Sequence, residues 1–463
     1  MLRRRKMSRV WAVAKNSFVS AMRMKTAIVF MLLLIILLPI LSITSTGDGT
    51  IKGRIQSFIS YGLGLTGFLL SILTIIVSCY TLSSDIKHKQ IYTVVTKPIR
   101  RFELILGKTL GVVLLDTLLL LVFSSIIYAL TLQMPRLTKT KGDELVRLNN
   151  EFFTARASLK PDIDEQVIET KAQKSYKELQ RSGQLNDSRS KQAVMQELKD
   201  IARYSMHSAE PGGMVIWEFK NVKPFDSNDN IFVRFKFEAS RIPPDKNIYG
   251  VWYVGDYRQI KYGQEKMKTP IYAAPRKDVV KTVQEFQVPA NAVAADGYLA
   301  VVFYNEPMND STIIFPQEDG FEVLYRAGNF GLNFVRATLI IFARLVFFAA
   351  LGVSLSTWLG FPVAVMCSLA VFFTGVINGF IIGSFAYLGE NVSLFYKYAV
   401  EPMIWLLPKF DQGCNISKYI IDAKLIGTAF FAVTIAGLAV KSAILLVAGF
   451  IIFARREIAK VIV

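Results

Sequence analysis

The feature that most constrains this chain is a set of apolar stretches too long for a soluble core. No Asp, Glu, Lys or Arg occurs from Leu345 to Gly389, and none occurs over residues 55–84. A helix crossing about 30 Å of hydrocarbon needs roughly 20 apolar residues, so these stretches read as membrane spans. Six are predicted, at residues 26–43, 55–84, 109–132, 332–357, 362–388 and 430–454. Gly360 and Pro362 divide the run that begins at Leu345, because both residue types disfavour continuing a helix. Three spans carry charge: Asp116 in the third, Arg336 and Arg344 in the fourth, Lys441 in the sixth. Lys441 lies about 9 Å from the outer end of its span by helix rise, close enough to snorkel to the interface.

The formal net charge of +18 raises the question of a nucleic-acid partner, and its distribution answers it. Residues 1–25 carry eight Lys/Arg and no acid, whereas residues 134–331 carry 28 Lys/Arg against 27 Asp/Glu. The excess therefore flanks the membrane, as the positive-inside rule requires of cytoplasmic segments, and no nucleic-acid groove is indicated. The same rule places the loop from Thr81 to Lys108, with six cations and two acids, in the cytoplasm. Residues 134–331 then lie outside, and six crossings return the C-terminus, with Arg455, Arg456 and Lys460, to the cytoplasm. A cleaved signal peptide over residues 1–45 fits poorly, since the basic region of about 25 residues and the apolar run both exceed the usual pattern. Within residues 8–25, Trp11, Ala14, Phe18, Ala21 and Met22 fall near one helical face with Lys15, Arg23 and Lys25 polar, the pattern of a helix lying along the interface.

Between Met134 and Phe330 the pattern becomes polar and periodic. Leu145, Leu148 and Phe152 are spaced for one helix, Val167, Ala172, Tyr176 and Leu179 for a second, and Val194, Leu198 and Ile201 for a third, together a helical stalk. From Met214 the period switches to two. Seven short strands are predicted, around 214–219, 231–237, 248–254, 282–288, 298–304, 312–315 and 321–325, and they suggest an antiparallel β-sandwich. The fold class expected is thus an α-helical polytopic membrane protein of six transmembrane helices with an inserted extracytoplasmic α+β domain. Trp252, Tyr253 and Tyr257 form an aromatic cluster that could stack on a saccharide; the competing reading places such aromatics in the core.

Two histidines, His88 and His207, and three cysteines, Cys79, Cys367 and Cys414, disfavour a zinc site, a haem pocket or a histidine-based triad. No metal site and no catalytic residues are assigned. Gly107-Lys108-Thr109 looks like the end of a P-loop, but Phe102 stands where that motif needs glycine, so no phosphate cradle is present.

The most informative cytoplasmic stretch runs from Ser84 to Gly111, SDIKHKQIYTVVTKPIRRFELILGKTLG. It offers a short cationic helix over Asp85 to Val95, a stop at Lys97-Pro98 and a basic pair, Arg100-Arg101, before the third span. Here the chain resembles the permease subunits of ABC-2 type transporters. Their loop between the second and third spans reads as an acid, a short helix, proline, a basic residue, then Gly-Lys. Asp85, Pro98, Arg100 or Arg101, Gly107 and Lys108 match that order. The resemblance extends to the six-span plan, the amphipathic N-terminus, Leu406-Leu407-Pro408-Lys409-Phe410-Asp411 and Phe453-Ala454-Arg455-Arg456-Glu457. It leaves the outer domain unmatched, and Gln90-Ile91 stands where Gly-Thr is frequent.

The resemblance implies that Asp85, Lys87, Lys89, Gln90, Pro98, Arg100, Arg101 and Lys108 form a coupling loop that docks on a separate ATPase subunit. ATP and Mg would be bound by that partner, with no cofactor in this chain. It also implies a second permease copy, as homodimer or heterodimer, an exporter mechanism by alternating access, and a bacterial cytoplasmic (inner) membrane. The outer domain would receive substrate or recruit an extracytoplasmic partner. Intramembrane Asp116 and Arg344 are expected to pair, and Asn378 is a further polar candidate. The alternative is a membrane-anchored extracytoplasmic binding or assembly protein, although anchoring alone needs only one or two spans. An integral-membrane enzyme ranks third, because no recurring set of acids or nucleophiles suggests catalysis.

Overall fold

The computed structural model describes residues 2–87, 100–138, 142–161, 165–182, 191–224, 229–261, 269–316, 320–377 and 416–455. Helices α1 (Leu2–Met22), α2 (Lys25–Thr44), α3 (Ile51–Lys87), α4 (Arg101–Leu137) and α5 (Gly142–Glu151) precede a β-rich segment containing α6 (Glu165–Arg181) and α7 (Lys191–Met206). Helices α8 (Phe330–Leu355), α9 (Phe361–Val376), α10 (Ile416–Ile421) and α11 (Thr428–Arg455) follow. The chain forms two compact units: a helical one that runs to Phe153 and resumes at Asn329, and a β-rich one over Thr154–Gly328.

Among the described residues of the helical unit, α2, α3, α4, α8 and α11 are each long and apolar enough to cross a membrane, as befits an integral membrane protein. The expected span at 362–388 is described only as α9, whose 16 residues extend about 24 Å; positions 378–388 lie outside the described residues. Helices α3 and α8 are the centre of the unit, with 67% and 61% of their most apolar windows buried, whereas α2 and α11 have 22% and 17% and turn Ile, Leu and Val outward.

Helices α8 and α11 run in the same direction. Near the start of α8, Asn333 donates to the Lys424 carbonyl and accepts from the Ile426 N–H, both at 2.8 Å; near its end, the Ser354 hydroxyl donates to the Leu445 carbonyl at 2.9 Å. The chain between Leu355 and Ile426 therefore returns from one end of the unit to the other. Helix α9 begins that return antiparallel to α3, with Phe361 edge-on to Tyr80 and Phe372 5.8 Å from Phe68.

The β-rich unit holds β1 (Thr154–Leu159), β2 (Ser208–Ala209), β3 (Met214–Phe219), β4 (Asn230–Phe235), β5 (Glu238–Ala239), β6 (Asn247–Gly255), β7 (Tyr272–Val279), β8 (Gln284–Pro289), β9 (Leu299–Asn305), β10 (Ile313–Ile314) and β11 (Phe321–Asn329). Two four-stranded sheets form, ordered β1-β11-β4-β8 and β3-β9-β6-β7, beside a small β2-β10-β5 sheet. The two larger sheets share one core: Trp217 of β3 stacks on Phe321 of β11 at 3.9 Å, and Trp252 of β6 lies 4.4 Å from Phe235 of β4. Alternation puts Val215, Trp217 and Phe219 inside, as their period of two predicts.

Two sizeable strands, β1 and β7, escape the sequence reading. Strand β7 contains Pro275 and pairs only with β6 at the sheet edge, where a missing N–H is tolerated. Strand β1 lacks apolar alternation because it carries buried Arg156, which pairs with Glu285 at 2.8 Å. Of the three stalk helices, α5 belongs to the helical unit, where Phe152 just beyond it packs 5.6 Å from Phe330. Helices α6 and α7 pack together through Ala172, Val194 and Leu198.

His207, just past α7, accepts a hydrogen bond at Nδ1 from the Trp217 indole N–H at 3.4 Å. Burial pushes its pKa below the usual histidine range, so the unfolded chain takes up a proton first as pH falls. The stability this site contributes is complete above about pH 6.5 and declines as pH drops through that value toward the folded-state pKa. Hydrogen exchange of β3 at pH 7.5 and 5.5 should show acid-enhanced opening that is smaller in His207→Gln. An identical acid response in both proteins would contradict this.

Candidate functional site

One end of the helical unit gathers the loop residues singled out in the sequence. Asp85 lies in the last turn of α3, and Lys108 lies in the second turn of α4. Their side chains form an ion pair of 2.6 Å and are only 17% and 7% exposed. Lys108 Nζ also donates to the Thr81 carbonyl at 3.0 Å, so the ammonium joins Asp85 to the preceding turn of α3. This contact clamps together the two helices that bracket residues 88–99. Lys89, Gln90 and Pro98 lie outside the described residues, as do 406–411, Arg456 and Glu457.

The neighbouring basic residues have different roles. Lys87 and Arg100 are exposed. The Arg100 backbone N–H donates to the buried Glu103 carboxylate at 2.9 Å, which caps the first turn of α4. Arg101 instead donates to the Phe453 and Ala454 carbonyls at 2.8 and 2.9 Å, closing the C-terminus of α11. Its charge is committed to the fold.

Helix α1 packs along α4 over Gly107 and Gly111. A Cβ at Gly107 would lie 2.7 Å from Val13 Cβ, and one at Gly111 would lie 2.5 Å from Ser17 Cβ and 2.7 Å from the Ala14 carbonyl. Small residues at this spacing let helices approach closely. The buried face of α1 is Ala14, Ser17 and Ala21, while Trp11 is 57% exposed; the face is thus rotated from the one expected. Displacement of the α3–α4 connection would act at once on α3, α4, α11 through Arg101, and α1.

The expected pair of Asp116 and Arg344 does not form. Asp116 is fully buried and its Oδ1 accepts from Thr74 Oγ1 at 2.8 Å. Arg344 lies over Gly67, where a Cβ would come within 2.5 Å of its Nη2. Gly67 precedes Thr74 by seven residues, about 10 Å along α3. Rise arithmetic gives height along a span but not the direction a side chain takes from it. A double-mutant cycle with Asp116→Asn and Arg344→Gln should accordingly be additive within about 0.5 kcal/mol, measured by unfolding in nanodiscs; a larger coupling would restore the pair. Asn378 lies outside the described residues.

The aromatic cluster of the β-rich unit is split by strand alternation. Trp252 is wholly buried in the core and is removed as a ligand residue. Tyr253, one position on, faces the opposite side and with Tyr257, Met214, Val302 and Tyr304 lines an apolar cavity of about 330 Å³. No group of three His, Cys, Asp or Glu among the described residues could hold a metal ion. Glu103, Thr74 and Gly111 were not singled out in the sequence, although the spacings Arg100-x-x-Glu103 and Gly107-x-x-x-Gly111 carried signals for the first and last. No protein-family model matches the chain, and no curated protein matches it.

Proposed function

We propose that this protein is the permease subunit of an ABC-2 type transporter, an exporter in which a separate ATPase subunit binds ATP and Mg and presses on residues 81–108. One observation carries the reading: the largely buried Asp85–Lys108 pair joins α3 to α4 beside the two exposed cations Lys87 and Arg100. A load applied to this connection has a rigid path into both helices, and Arg101 extends that path to α11. In this reading the return between α8 and α11 is the fifth crossing and α11 the sixth, residues 154–328 are extracytoplasmic, and a second permease copy completes the translocation path in a bacterial cytoplasmic membrane.

The test is copurification with a candidate ATPase subunit co-expressed with this chain, using Lys87→Glu, Lys89→Glu and Arg100→Glu together. Arg101 is left intact because it holds α11. Association and ATPase stimulation should fall by about tenfold or more, since like charges at a docking surface cost several kcal/mol. Undiminished association would remove the coupling role and leave the anchored-domain reading.

A further inference from the structure

At the end of α2 and the start of α3, the helical unit holds a cavity of about 580 Å³. Its polar lining includes Thr46, Asp48, Gln56, Ser57, Ser60 and Tyr61. Four of these occupy one face of α3, at the i, i+1, i+4 and i+5 positions that a helix stacks together. Further along the same helix, Ser71 donates to the carbonyl of Gly67, satisfying its hydroxyl within the helix. Among the described residues, the hydroxyls of Ser57, Ser60 and Tyr61 have no such bond, and all three residues line the cavity.

The charges around the cavity narrow what it can hold. Lys52 is paired with Glu151 at 2.6 Å, and Arg54 donates to the Ser42 and Ile43 carbonyls at 3.4 and 3.1 Å. Neither cation lines the cavity, whereas the Asp48 carboxylate does, which disfavours an anionic ligand. Asp48 accepts from the Thr50 hydroxyl at 2.6 Å and from its N–H at 2.9 Å. These bonds hold its carboxyl below the usual carboxylate range, so it is an acceptor at neutral pH. The Gln56 amide N–H donates to the Ile421 carbonyl at 2.7 Å, which leaves its carbonyl oxygen as another acceptor. Tyr61 is 61% exposed and offers a ring face.

We propose that this cavity binds a saccharide. Open hydroxyls that both donate and accept, a carboxylate, an amide oxygen and an aromatic face are what a neutral polyhydroxylated ring requires for its hydroxyls and its C–H face. Binding here is a property of this chain alone, so its test is separate from that of the permease reading.

The experiment is saturation-transfer NMR on the full chain in lipid nanodiscs prepared without sugar-headed detergent. The saccharide probes are maltotriose and N,N′-diacetylchitobiose; methylphosphonate and n-butylammonium serve as anionic and cationic probes. Transfer to at least one saccharide is expected, falling about fivefold for each hydrogen bond lost in Ser57→Val with Ser60→Val, and falling also in Tyr61→Ala. The Tyr61 side chain is mainly exposed, so that variant keeps the fold and provides the second reading. No transfer to either saccharide, transfer unchanged in both variants, or transfer confined to one of the charged probes would overturn the proposal.

Discussion

Lys108→Met should destabilise the helical unit by on the order of 3 kcal/mol. The substitution keeps the apolar stem but removes the ammonium from a pair whose side chains are 7% and 17% exposed. Asp85 would be left largely desolvated without its counter-ion, and the Thr81 carbonyl would lose the ammonium that supplements its helical bond. Most of the loss comes from that stranded acid. The double variant Asp85→Asn with Lys108→Met should therefore be more stable than the sum of the single losses predicts, by about 1 kcal/mol or more. Unfolding of the full chain in nanodiscs measures the energies, and hydrogen exchange over 78–87 and 101–110 locates them. Strict additivity would show that the two side chains act independently and would remove the clamp from the coupling argument.

The second large effect lies in the β-rich unit. Trp252 is fully buried with Phe235 at 4.4 Å, Phe303 at 4.8 Å and Phe286 at 5.7 Å. Trp252→Ala opens a cavity between the sheets and should cost about 3–5 kcal/mol. Tyr253→Ala, at the next residue but on the outer face and 39% exposed, should cost less than about 1 kcal/mol. Exchange rates over β3, β6 and β9 in the full chain distinguish the two. Equal, small effects would mean that Trp252 is not the centre of the core and would return it to the ligand candidates.

The contrast between these neighbouring residues shows what was legible. A period of two marks a strand and separates its faces, but it does not say which face meets the other sheet, so Trp252 and Tyr253 read as one aromatic cluster. Strand β7 was hidden by Pro275, and β1 by an arginine that becomes acceptable in a buried position only through Glu285. The loop residues Asp85 and Lys108 were identified by their order along the chain, yet their direct contact follows from the way α3 and α4 pack. Arg101 looked equivalent to Arg100 until α11 supplied two carbonyls for it.

Charge-free length alone determined that several segments of this chain belong in lipid and where the polar insertion begins and ends to within about 20 residues; the residue standing at position 102 removed the P-loop reading. Those properties depend on what a segment avoids or lacks, which is written locally. The tertiary structure alone decided that α3 and α8 are central, that Lys108 meets Asp85 while Arg344 misses Asp116, and that α1 rests on Gly107 and Gly111. Each of these depends on the height and direction at which distant helices are brought together, and that geometry comes from packing the whole unit at once.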